Sequence, residues 1–151
     1  MKNFLTFVTF LIIIFSSISK VYSIEPDIFV QSTVNRASEA LSNQFSKEEK
    51  IEKLKKIASE TVDIKGISFY TLGSHRKNIT DNQLKQYETL FKEYFLKSFS
   101  SRLAEYSNPE IEVTSKKELN KNYTIVFSTL VSTEQRPEVK INWRVYTKNP
   151  E

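Results

Sequence analysis

The stretch from Ile79 to Tyr106, ITDNQLKQYETLFKEYFLKSFSSRLAEY, constrains the fold more than any other part of the chain. It is long and periodic, and no Gly or Pro interrupts it before Pro109. Thr80, followed three residues later by Gln83, forms a capping-box pattern in which hydroxyl and amide satisfy orphan N–H groups of a helix's first turn. At about 100° per residue, Leu84, Tyr87, Phe91, Tyr94, Phe95, Phe99, Leu103 and Tyr106 fall within roughly half of the helix circumference. That face is wider than a coiled-coil seam and rich in rings, so the rest of the chain is expected to cover it, with protein or with ligand.

Upstream, residues 1–23 read as a signal peptide. Lys2 supplies the positive n-region, Phe4 to Phe15 the apolar h-region, and Val21-Tyr22-Ser23 the cleavage site. The apolar run is shorter than the roughly 20 residues a spanning helix needs, although an uncleaved anchor is the alternative. Either way residues 24–151 are expected outside the cytoplasm, as one domain. Without Lys2 and Lys20, the 22 basic residues fall to 20 against 18 acidic ones, a net charge of +2. So small an excess, with the rings on a buried helix face, argues against a nucleic-acid partner. The chain has no Cys, so neither disulfides nor a Cys-linked lipid can hold it, and burial must do the stabilising.

The elements follow from periodicity. Ile28 to Asn43 carries Val30, Val34, Ala37 and Leu41 at helical spacing. Ser46 with Glu49 repeats the capping box and opens a second helix, with Ile51, Leu54, Ile57 and Ala58 inward and Lys47, Lys50, Lys53, Lys55 and Lys56 outward. Val62 to Leu72 is a short apolar helix closed by Gly73, where a left-handed cap is free of steric cost. After Tyr106 the period becomes two: Ile111 to Lys116, then Asn122 to Ser132 with Tyr123, Ile125, Phe127, Thr129 and Val131 on one face, then Glu138 to Thr147 with Val139, Ile141, Trp143 and Val145. Turns at Glu118 to Lys121 and Thr133 to Pro137 suit an antiparallel meander. Helices before strands give an α+β fold, N-terminal helices packed on a C-terminal antiparallel or mixed curved sheet.

Catalytic chemistry is poorly supplied. His75 is the one histidine, there is no thiol, and the acidic residues sit beside lysines on helix faces. No enzyme activity, cofactor or metal is expected; an enzyme would have to work through His75, Asp63 and Glu88. Two glycines are also too few for a phosphate-cradling loop. What remains is a binding module with a broad apolar helix face opposed to a sheet.

Particular residues go further. Val62-Asp63-Ile64, then Tyr70-Thr71-Leu72-Gly73-Ser74-His75-Arg76, then Ile79-Thr80 and Gln83, then Tyr87, Phe91, Phe99, Leu103 and Tyr106 resemble the central motif of the MlaC family. The resemblance extends from about Pro26 to the end of the chain. It implies a soluble periplasmic carrier holding phospholipid acyl chains between helices and sheet, with the head group near the mouth. It also implies an outer-membrane lipoprotein complex and an inner-membrane MCE-type ABC transporter as partners. On this view Phe69, Leu72, Leu84, Phe91, Phe95, Phe99, Ile125, Phe127, Trp143 and Val145 are expected to line the tunnel, and each also suits an ordinary core position. Arg102, pointing to the middle of the apolar stripe, is expected to reach the mouth and a phosphate, or to pair locally with a carboxylate. Two features depart from the family: His75 replaces an aromatic, and the chain ends at Asn149-Pro150-Glu151 where members continue through a strand, a GVSL-like segment and a helix. An incomplete domain with an exposed sheet edge is therefore expected. The other reading is a secreted protein-interaction domain, or a non-functional fragment, that carries no lipid.

Overall fold

The computed structural model describes residues 24–148, so the expected signal segment at 1–23 and the last residues, 149–151, lie outside the described residues. Helix α1 (Pro26–Ala40) begins two residues before its predicted start, on a proline whose missing N–H has no partner to lose at a helix's first position. Helix α2 (Lys47–Thr61) opens on the predicted capping box. The Glu49 N–H donates to Ser46 Oγ at 3.2 Å and the Ser46 N–H to Glu49 Oε2 at 2.8 Å, which holds the Glu49 carboxyl below its ordinary value. Helix α3 (Ile64–Leu72) is capped by Asp63 and ends at Gly73, whose φ of +54° suits glycine. The chain continues through a 3-10 turn, Gly73–Lys77, into α4 (Asp81–Leu103), which opens on the Thr80–Gln83 box.

Strands β1 (Ile111–Asn120), β2 (Tyr123–Leu130) and β3 (Val139–Tyr146) form an antiparallel sheet in the order β1-β2-β3. The α+β expectation holds: among the described residues four helices precede a three-stranded antiparallel meander. β1 runs further than the predicted Lys116 because its turn is tighter: Asn120 Oδ1 accepts from the backbone N–H groups of Asn122 and Tyr123, at 3.0 and 3.1 Å.

Two clusters make the core, and α1 belongs to both. Val30 and Val34 pack on Val126 of β2, with Phe29, Ile111, Val113, Trp143 and Val145 around them. Ala37 near the end of α1 and Leu41 just past it meet Leu54 of α2 and Ala104 at the end of α4, with Ile51, Leu103 and Tyr106. Arg36 of α1 pairs with Glu60 of α2, and Lys116 of β1 reaches back to Glu25 and Asp27, both at 2.7 Å.

Three expectations are corrected. Lys50 was placed outward with its neighbouring lysines, but it is only 7% exposed: one turn before Leu54, it shares the inward stripe of α2. Tyr94 is 70% exposed and does not join the buried side of α4. The fully buried position of that helix is Ser100, its hydroxyl donating to the Leu96 carbonyl at 2.6 Å, and Ala104 follows one turn later. At about 100° per residue these small residues lie well round the helix from the rings, so α4 packs through its least bulky side. Lastly, Val126, not Ile125 or Phe127, faces α1. Cross-strand register pairs Val126 with Trp143 and sets Ile125 opposite Arg144 and Phe127 opposite Asn142, so Ile125 and Phe127 occupy the other face from Trp143.

Candidate functional site

Between the helices and the sheet lies a cavity of about 1020 Å³, at the upper end of the roughly 300–1,000 Å³ range of small-molecule sites. Its first wall is the inward stripe of α1, from Phe29 through Thr33 and Val34 to Ala37 and Leu41. Leu54, Ile57, Ala58 and Thr61 of α2 continue that wall, followed by Gly66, Ile67 and Tyr70 of α3. Phe99, Leu103 and Tyr106 close the α4 end, and β3 supplies the opposite wall. Small residues such as Ala37, Ala58 and Gly66 on the helical side leave space that larger ones would fill.

Two polar side chains in this wall are fixed by hydrogen bonds. Trp143 donates from Nε1 to Ser128 Oγ at 2.8 Å, which holds the indole against the sheet and satisfies a hydroxyl that is only 2% exposed. Asp63 Oδ1 accepts from the Gly66 N–H at 2.9 Å. A Cβ on Gly66 would stand 2.2 Å from Asp63 Oδ2, so the absence of a side chain there lets the cap fold down onto α3.

Residues of β3 from both of its alternations border the cavity, but only the half-buried row shares the face of Val126. Val139, Ile141, Trp143 and Val145 form one row; Asn142, Arg144 and Tyr146 form the other. Among the described residues β3 is bonded to β2 alone.

Of the side chains expected at a binding tunnel, the structure brings Phe99, Trp143 and Val145 together in the wall. Phe91 and Phe95 lie outside it in a ladder of rings running along α4, with centroids 5.8 Å apart from Tyr87 to Phe91, 6.2 Å from Phe91 to Phe95 and 5.4 Å from Phe95 to Phe99. Only the last rung of that ladder reaches the cavity. Leu72 and Leu84 are half-buried beyond it, Phe69 is 42% exposed beneath the Arg76 guanidinium, and Ile125 and Phe127 lie on the other face of β2. Arg102 is exposed and outside the wall. The residues of α1 and α2 that dominate the wall carry a clear helical period in the sequence, but nothing in that period distinguishes a cavity wall from a core.

The site holds little acid–base chemistry. Among the described residues no group of three or more His, Cys, Asp or Glu side chains could hold a metal ion, and His75 is exposed in the 3-10 turn. Nor is any described helix long and apolar enough to cross a membrane. The arrangement suits non-covalent enclosure of an apolar ligand.

Known proteins align with this geometry. No curated protein matches the chain in sequence. Among solved structures, the fold resembles that of a phospholipid-binding protein from Ralstonia solanacearum, determined in complex with a phospholipid, with a TM-score of 0.67 at 15% identity. The match covers 82% of this chain and 72% of the other. The profile of the family described as MlaC protein matches residues 31–151, an interval that takes in most of α1, all later elements and every wall residue from Thr33 onward. The chain belongs to the MlaC family.

Proposed function

We propose that this protein binds a phospholipid with its acyl chains in the cavity between α1 and β3. The observation that carries this reading is the cavity itself, about 1020 Å³ of largely apolar space lined by Phe29, Val34, Ile57, Phe99, Ile141 and Trp143. An acyl chain gains about 0.8 kcal/mol per buried CH₂, so wall shape and apolarity matter more here than specific polar contacts. Family membership supports the same reading, as does the fold shared with a phospholipid-bound protein. In the fuller proposal the chain is exported by residues 1–23. It then works in the periplasm as a non-catalytic shuttle between an outer-membrane lipoprotein complex and an inner-membrane MCE-type ABC transporter. Phe99, Trp143 and Val145 are assigned to the lipid wall. Phe69, Leu72, Leu84, Phe91, Phe95, Ile125 and Phe127 are assigned to packing around it. Solvent extraction of the purified protein, after exposure to phospholipid vesicles, is expected to release phospholipid near one molecule per chain by mass spectrometry. A protein that emerges lipid-free would overturn the proposal.

Exposed Phe69, Tyr70, Leu90 and Tyr94 favour a second reading, a secreted domain that docks a protein through α3 and α4. It predicts a stable protein complex in pull-down experiments and no lipid in the extract.

A further inference from the structure

Resting on the lipid-binding reading above, we propose that α3 is the gate of the cavity, which swings away from α4 to admit lipid and is latched shut by polar contacts with that helix. Gly66, Ile67 and Tyr70 of α3 border the cavity. Ile67 and Tyr70 are also 37% and 83% exposed, so this helix stands between the cavity and water. Among the described residues α3 contributes no side chain to either core cluster, whereas α1 and α2 are anchored there by Val30, Val34 and Leu54. What α3 buries is Ile64 at its first turn and Ser68. The Ser68 hydroxyl donates to the Lys65 carbonyl at 2.7 Å, a bond within α3 that moves with the helix.

The latch is polar at both ends of α3. Near the last turn, the Thr71 hydroxyl donates to the Ser68 carbonyl at 2.8 Å, so its one hydrogen is committed and Tyr87 Oη is the donor in the 2.8 Å bond with Thr71 Oγ1. At the first turn, Lys65 Nζ lies 3.6 Å from Glu88. Contacts of this kind exchange for water at little net cost, as a latch that opens repeatedly requires. Burial on the scale of Leu54 is not undone so readily. Pivots lie at either end. Only Val62 and Asp63 separate α2 from α3, and the Asp63 bond to the Gly66 N–H keeps the cap on the moving side. At the other end Gly73, with its φ of +54°, turns the chain into the 3-10 segment, and a Cβ there would meet nothing within 4 Å. A glycine in open space absorbs backbone rotation without a clash, as hinge positions must.

The test locks the gate. The chain has no cysteine, so Thr71→Cys with Tyr87→Cys can be joined by a short bismaleimide that replaces the latch bond with a covalent one. Trp143 is the one tryptophan and lines the cavity, so its quenching by phosphatidylcholine vesicles with brominated acyl chains reports lipid entry. The bridged protein is expected to take up lipid at least tenfold more slowly than the same double variant left unbridged. Lipid loaded before bridging is expected to stay bound after the vesicles are removed. Tyr87→Phe, which removes the donor of the latch, is expected to speed uptake about fivefold, the size of one hydrogen bond. Equal uptake rates with and without the bridge, or loss of preloaded lipid on bridging, would overturn the gate while lipid binding stands. If the double variant does not fold, Tyr87→Phe decides: faster uptake supports the gate, and the parent rate overturns it. Absence of quenching in the parent protein, with no phospholipid in its solvent extract, would instead remove the lipid-binding reading, and this inference with it.

Discussion

The two ends of α4 look alike in sequence and behave differently in the fold. From Tyr87 to Phe95 the helix carries a ladder of rings that are only half-buried, flanked by Leu90 and Tyr94 at 65% and 70% exposure. From Ser100 onward it enters the second core cluster, and the positions that vanish from solvent are the small ones, Ser100 and Ala104. The ring end is tied to α3 by polar contacts instead: Tyr87 shares a 2.8 Å hydrogen bond with Thr71, and Lys65 lies 3.6 Å from Glu88. A wide aromatic stripe thus measures what a helix could bury, whereas close approach of a second helix selects the side that lets backbones come near.

The comparison can be broken by mutation. The largest effect is expected at the buried end: Leu54→Ala, at a residue 1% exposed that meets Ala104, should cost about 2–5 kcal/mol in denaturant unfolding. Ala104→Leu, which overfills the same contact, should cost about 1–3 kcal/mol. At the ring end Phe91→Ala should cost only about 1 kcal/mol, since a half-buried ring forfeits roughly half of a full burial term. Tyr94→Ala should stay within about 0.5 kcal/mol of the parent. A loss at Tyr94 as large as that at Leu54 would mean that the ring face is covered after all.

The smallest effect concerns charge, where β1 is tied to the start of α1. The Lys116 hydrogen bond holds the Asp27 carboxyl below its ordinary 3.8, so its stabilising effect is present above that pH and is lost as acid protonates it. Hydrogen bonds to Asp27 and then Glu25 hold Lys116 above its ordinary 10.5, so that effect is present below 10.5 and is lost as pH rises through the raised value. All three groups are solvent-exposed, which keeps the effect small and sensitive to salt. Melting temperature followed against pH should therefore show shallow declines at both extremes, and Lys116→Met should flatten the contributions of this cluster to both.

Much of this fold was legible locally. Ser46 with Glu49 and Thr80 with Gln83 mark helix starts because a capping box is a contact between residues three apart, complete within the sequence that encodes it. Strand positions were legible for the same reason. The phase of β2 was not, because Tyr123, Ile125 and Phe127 read as apolar while the true inner row, Val126 and Ser128, contains a serine. That serine is explained only by Trp143, a partner across the sheet. The cavity wall was half legible: Trp143 and Val145 come from the strand period, but Thr33, Ala37 and Ala58 become wall residues only once α1, α2 and β3 are set apart. Tertiary distance has no signature in the spacing of a single chain.

The most direct test of the central claim, that acyl chains occupy the space between α1 and β3 and not the ring face of α4, is a cavity block. Bound phospholipid should be counted by native mass spectrometry for the parent, for Thr33→Trp, which fills the α1 wall, and for Tyr94→Trp on the exposed ring end. Lipid is expected on the parent and on Tyr94→Trp, and little or none on a folded Thr33→Trp. Full lipid occupancy of Thr33→Trp, with loss at Tyr94→Trp, would contradict the claim.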